Sequence, residues 1–301
     1  MKRTIIILIL MVTAMTGINA QLLYRISAKD LKQPSYIVGT YHFAPASFVD
    51  SIPGLRDAMR QTAQVCGELD MNLAMNAESA QKMIAAMMMP DGKSLKDILT
   101  TEEQNKLNAY MKGLMGADMT NPMVEQQMGK MSPQALTTQF TLLTYMRNTP
   151  GFDPANLIDN YFQKVALEEK KPVMGLESVD FQIKTLYKSM STERQKEQLM
   201  CLVDNPEYNK MMILEMAKAY FNKDINKLKD VMDEKQNNSC DSTPQEKAEL
   251  TDNRNADWIT KMPAIMSTDP TLFVVGAGHL PGDNGVLKLL EKAGYTVEAI
   301  K

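Results

Sequence analysis

Leu272-Phe273-Val274-Val275-Gly276-Ala277-Gly278-His279 is an apolar run that stops at a glycine and reaches a histidine three residues later. Near the other end of the chain Tyr36-Ile37-Val38-Gly39-Thr40-Tyr41-His42 does the same. Short apolar runs rich in β-branched and aromatic residues and closed by glycine read as buried strands. Each histidine therefore lies just past a strand end. These are the two histidines of a 301-residue chain. One strand-end histidine commonly just hydrogen-bonds to a loop. A matched pair, in a chain that has no others, points to joint use.

Working outward, Leu22 to Ile26 and Ser35 to Gly39 flank the turn Lys29 to Pro34 and read as an N-terminal hairpin. Further strands are expected at Ala63 to Leu69, Pro172 to Met174, Leu272 to Val275 and Tyr295 to Ile300. Helix-forming composition fills most of the rest, notably Asn72 to Met89, Thr101 to Met115, Pro133 to Met146, Pro154 to Leu167, Thr192 to Val203, Tyr208 to Phe221 and Gln245 to Met262. Strands alternating with helices in this way give an α/β fold, with a central mixed sheet and large helical insertions at about 71–170 and 180–267. Residues 21–301 are read as a single domain.

The first twenty residues are read as a secretory signal peptide. Lys2-Arg3 precedes the apolar stretch Ile5 to Val12, and Gly17-Ile18-Asn19-Ala20 closes on small residues. The apolar stretch falls short of the roughly 20 residues a membrane span requires, and no later segment is apolar enough to be one. The expectation is a periplasmic or secreted protein with no transmembrane segment after cleavage. Of 33 Lys and Arg, loss of Lys2 and Arg3 leaves 31 against 36 Asp and Glu, a net charge of −5. That balance disfavours nucleic acid as a partner. Cys201 and Cys240 are free to pair in an oxidising compartment, and Cys66, inside an apolar segment, reads as a small buried hydrophobe. The 26 methionines fall mostly at helical spacing and read as flexible core filler rather than as copper ligands.

Chemistry is expected at the strand ends. Adjacent strands lie about 4.8 Å apart, so histidines past the ends of neighbouring strands can face one crevice, which is where ligands sit in α/β sheets. Gly39, Gly276 and Gly278 are expected to let the chain turn sharply there and to leave space beside the imidazoles. Two carboxylates occupy comparable places, Glu68 in Gly67-Glu68-Leu69-Asp70 and Glu177 in Gly175-Leu176-Glu177-Ser178. Two histidines and a glutamate can supply the three protein ligands of a catalytic metal site, and a second glutamate can act as base toward a water whose pKa the ion lowers. Arg254, one helical turn before Trp258, the single tryptophan, is a candidate for orienting a carboxylate or binding an oxyanion.

Several alternatives are disfavoured. There is no His-Glu-x-x-His, no Gly-x-Ser-x-Gly and no Cys-x-x-Cys. Gly276-x-Gly278-x-x-x-Gly282 is misspaced for a dinucleotide loop and too near the C-terminus for the rest of such a fold. A Cys66–His nucleophilic pair would need a thiol aimed out of its own strand.

Gly39-Thr40-Tyr41-His42, Gly67-Glu68-Leu69-Asp70, Gly175-Leu176-Glu177, Arg254-Asn255 with Trp258, and Val274 to Leu280 followed by Gly294-Tyr295-Thr296-Val297-Glu298 together resemble the TraB/GumN family. The resemblance runs from about Leu22 to the C-terminus and is strongest at the two ends. That family is similar to the Tiki metalloproteases and belongs with the erythromycin-esterase/ChaN-like folds. The resemblance implies a divalent ion (Mn, Co or Zn) at His42 and His279, with Glu68 as carboxylate partner. It also strengthens Arg254 as a site residue. The resulting expectation is an exported metal-dependent hydrolase, peptidase-like, acting on a peptide or small-molecule substrate. The alternative is a non-catalytic periplasmic protein that binds a metal or small ligand at the same place.

Overall fold

The structure is a computed structural model that describes residues 21–301; the expected signal peptide at 1–20 lies outside the described residues. Six strands form one mixed sheet: β1 (Leu23–Ser27), β2 (Ser35–Thr40), β3 (Gln64–Gly67), β4 (Val173–Gly175), β5 (Thr271–Gly276) and β6 (Thr296–Ala299). Their spatial order is β4-β3-β5-β2-β1-β6. β1 pairs antiparallel with β2 and with β6, while β2, β5, β3 and β4 run parallel to one another. All six residues of β2 are buried, and β5 is buried from Thr271 to Val275. That is why both read as unbroken apolar runs: the inner strands of a parallel sheet are covered on both faces. β6, at the edge, shows the opposite signature, alternating exposed Thr296 and Glu298 with half-buried Val297 and Ala299.

The register decides the site. Thr40 is opposite Gly276, and Gly67 is opposite both Val274 and Gly175, so β2 and β5 end level with each other and β3 and β4 end together two residues earlier, all at one edge of the sheet. The two Gly-x-x-His turns leave from neighbouring strands. Gly39 makes their contact possible. A Cβ there would come within 2.9 Å of the backbone of Ala277 in the partner motif. None of Gly39, Gly276 and Gly278 is among the positive-φ glycines. The chain turns there without left-handed backbone, and what the glycines supply is space, as at Gly276, where a Cβ would lie 3.6 Å from the His279 ring.

The main core gathers both faces of the sheet with residues of helices Ile158–Glu168, Pro206–Phe221, Ile225–Asp233 and Asn253–Thr268, among them Phe162, Tyr220, Leu228 and Trp258. A second core stands apart from the sheet, built from helices of both insertions around Leu107, Met111, Leu136, Phe140, Leu199 and Leu202. The insertions thus pack on each other as well as on the sheet. An aromatic cluster joins the two layers beside the first histidine, where Phe43 stacks on Tyr145 with ring centroids 4.5 Å apart.

Several helix ends were marked in the sequence by their capping chemistry. Thr100 and Glu103 form a reciprocal capping box at the start of Thr101–Met115, and Gly116 ends that helix at φ 80°. The expected helix Asn72 to Met89 is instead two, Met71–Ala74 and Ala77–Ala86, because Asn76 caps the second through Ser79 N–H. Cys201 and Cys240 form a disulfide. It fastens the loop ahead of Pro244–Lys247 to helix Thr192–Asp204, and Arg194 reinforces it by bonding Glu246 and the carbonyls of Ser239 and Asp241. Cys66 is a buried free thiol, with its pKa pushed up to about 12 by burial, which keeps it from acting as a thiolate. None of the helices among the described residues is long and apolar enough to cross a membrane.

Candidate active site

Arg254 is the centre of the constellation. It projects from the first turn of Asn253–Thr268, directly after the π-helical turn Ala248–Asp252. Its Nε and Nη2 donate to the two carboxylate oxygens of Glu177 at 2.7 and 2.9 Å, a two-pronged pairing. Nη2 also donates to Glu68 Oε2 at 2.6 Å, and Nη1 donates to Leu250 O at 3.2 Å and to His279 Nε2 at 3.1 Å. The five N–H groups of a guanidinium are thereby all engaged. Burial disfavours the charge, but Glu177 and Glu68 outweigh it and raise the pKa above the ordinary arginine value. The guanidinium also lies 5.2 Å from the Trp258 ring.

Glu177 is wholly enclosed. Its side chain has no exposed surface, and Oε1 accepts a further bond from Trp258 Nε1–H at 2.8 Å. It holds Arg254 in place and meets no open space. Glu68 differs. Its side chain keeps 17% exposure, Oε1 accepts from Gly276 N–H at 2.8 Å, and Oε1 lies 3.9 Å from His279 Nε2. Burial opposes ionisation of Glu68. Positive charge on His279, whenever that ring is protonated, and on Arg254, with the Gly276 N–H, holds its carboxyl below the ordinary value.

The two histidines are anchored alike and exposed differently. His42 Nδ1–H donates to Asp159 Oδ2 at 2.8 Å, and 78% of its side chain is exposed. That bond is the main reason its pKa rises to about 9, and the Asp159 carboxyl is held low in turn despite partial burial. His279 is buried. Its Nδ1–H donates to Asn255 Oδ1 at 2.6 Å, an orientation set by Asn255 Nδ2 donating to the carbonyl of Asn284. With Arg254 donating to Nε2, the ring is neutral, and burial lowers its pKa to about 4. The Trp258 ring covers it at 4.4 Å.

The family model described as TraB/PrgY/gumN family matches residues 22–299. The chain belongs to this family. No curated protein and no solved structure matches it.

In this TraB/PrgY/gumN member, Glu68, Glu177, Arg254 and His279 form one bonded network, and His42 stands at its exposed margin within electrostatic reach of Glu68 and Arg254. Asp159 and Asn255 complete it. Asn255 was flagged by its place beside Arg254. Asp159 was not, because an acidic residue in the first turn of a helix is common for reasons of helix dipole alone and lies 117 residues from His42.

The donor types suit a divalent ion. Both imidazoles have Nδ1 tied down, by a carboxylate and by a side-chain amide, which leaves Nε2 as the ligand atom in the manner of metal-binding histidines. Two carboxylates around one guanidinium also leave a net negative charge. The arrangement nevertheless does not present all three ligands together, since Arg254 covers His279 Nε2 and Glu68 Oε2. Among the described residues no group of three His, Cys, Asp or Glu side chains converges as a ready cage.

Proposed function

We propose that this protein is a hydrolase, peptidase-like in the bond it cleaves, whose active form carries a divalent ion at His42, Glu68 and His279. The observation that supports the reading most is His42. Asp159 fixes the ring, and no bond to Nε2 is made among the described residues, so a potential ligand atom faces open space next to a charged, partly dry wall. Asp159, accepting from Nδ1–H, would hold His42 in the tautomer that offers its Nε2 lone pair to the ion. Glu68, the site carboxylate that keeps an open edge, would both hold the ion and accept a proton from attacking water. Glu177 and Asn255 hold Arg254 and His279 respectively. A divalent ion bound there would lower the pKa of water toward ~7 and so raise the supply of hydroxide.

The alternative is a non-catalytic metal- or ligand-binding protein, favoured by the full engagement of Arg254, which leaves it no donor for a substrate. Export is part of the proposal and is supported by the N-terminal sequence and by the Cys201–Cys240 disulfide, a bond characteristic of oxidising compartments.

The test is to incubate the protein, purified without a histidine tag, with a peptide library in the presence of Mn²⁺, Co²⁺ or Zn²⁺ or of chelator. Cleavage that needs added ion and disappears in His42→Ala supports the hydrolase. Ion or ligand retention with no cleaved product favours the binding protein. Undiminished cleavage by His42→Ala would remove His42 from the mechanism.

A further inference from the structure

We infer that Arg254 is a built-in competitor of the divalent ion: its guanidinium holds the ion's place at His279 and Glu68, and must withdraw for the ion to bind. The inference rests on the proposed ion site and adds how that site is controlled. A guanidinium and a divalent ion seek the same partners here, a neutral imidazole lone pair and a carboxylate oxygen. Arg254 already has both, at 3.1 Å from His279 Nε2 and 2.6 Å from Glu68 Oε2. An imidazole nitrogen cannot give one lone pair to an N–H donor and to a metal at once, and two cations on one carboxylate oxygen in a buried setting repel strongly.

Withdrawal has a defined route. Only the His279 and Glu68 bonds need break. The paired bonds to Glu177 and the bond to Leu250 O use the other N–H groups: Nη1 and Nη2 each give one N–H to the ion's ligands and one to Leu250 O or Glu177. Glu177, fully enclosed and also fixed by Trp258, is the pivot that keeps the displaced arginine from becoming an unpaired buried charge. The carbonyl of Leu250 belongs to the π-helical turn, a helix irregularity often found at functional positions. The device makes ion binding conditional: occupancy needs enough free ion to outcompete an arginine that cannot diffuse away.

Zn²⁺ alone serves as the probe, titrated calorimetrically into wild type, Arg254→Lys and Arg254→Gln. Trp258, the single tryptophan, lies under the guanidinium and reports its movement through fluorescence. The expected result is weak uptake by wild type accompanied by a change in Trp258 emission. Arg254→Gln should bind Zn²⁺ about 10- to 100-fold more tightly, because one or two charge-assisted bonds no longer have to be broken. Arg254→Lys, which keeps the charge and loses the fork, should fall between them and serves if the glutamine variant does not fold. Tight binding by wild type with no gain in either variant overturns the competitor and leaves the ion site standing. No binding by any of the three, with Mn²⁺ and Co²⁺ tried in turn, overturns the ion site and the competitor with it.

Discussion

Gly39-Thr40-Tyr41-His42 and Gly276-Ala277-Gly278-His279 are the same device in sequence and opposite devices in the folded chain. The first carries its imidazole into the open, against a carboxylate that keeps it protonated. The second carries its imidazole under Trp258, against an amide and a guanidinium that keep it neutral. A motif sets where a side chain leaves the backbone. Residues more than 20 positions away in sequence, Asp159 for one and Arg254 and Asn255 for the other, set what that side chain can do. The lesson is a division of labour: one imidazole left open to solvent, and the other held as part of the wall.

The sharpest test of that division is His42→Ala. It should lower ion-dependent cleavage by at least ~10- to 100-fold, the range for disturbing a metal site's ligand set, while the urea midpoint falls only slightly, because the pair with Asp159 is exposed and screened. A large loss of stability instead would show that His42 is structural too. Next is Glu177→Ala on the buried side. It strips Arg254 of its main partner in a dry environment and should cost about 3–5 kcal/mol of unfolding free energy, read from urea denaturation. A cost under ~1 kcal/mol, ordinary for an exposed pair, would mean that the wall is more solvated than the structure indicates.

The pH behaviour should differ in sign between the two motifs. His279 has its pKa lowered from the ordinary 6.5 to about 4. Between those values the unfolded chain binds a proton that the folded chain does not, so stability is complete above about 6.5 and falls as pH drops toward 4. That limb amounts to roughly 3 kcal/mol and should flatten in His279→Gln. His42 has its pKa raised to about 9. Its contribution is complete below 6.5 and disappears as pH climbs through about 9, a shallower limb because the exposed ring is screened by solvent. Proton NMR of a protein with two histidines reads both directly, as one ring titrating near 9 and one near 4 in ion-free protein. Two rings titrating together near 6.5 would erase the distinction.

The sheet was legible because its inner strands must be apolar on both faces. The hairpin, β3, β5 and β6 fall where the apolar runs place them, and glycine is the last residue of β3, β4 and β5 and the last but one of β2. The amphipathic helix Ile225–Asp233 went unread, although its buried Ile225, Leu228 and Val231 follow the helical period, because lysines and aspartates dominate its composition. At the site, Glu68, Glu177, Arg254 and both histidines were visible as residues in a pattern. Their partition was not. Nothing local to Gly175-Leu176-Glu177 says that Glu177 will be sealed beneath an arginine 77 residues later, whereas Glu68 keeps an open edge.

The place of β5 has a consequence for how the chain comes into being. It is the strand that β2 and β3 both lean on, and its partner Thr40 is 235 residues upstream of Val275. A nascent chain on the ribosome therefore carries β2 and β3 without their common neighbour until nearly all of it has been synthesised. Contacts of such long range are slow to form. A premature stop before residue 271 would release a polypeptide with two disconnected strand pairs, β1–β2 and β3–β4, and no second motif.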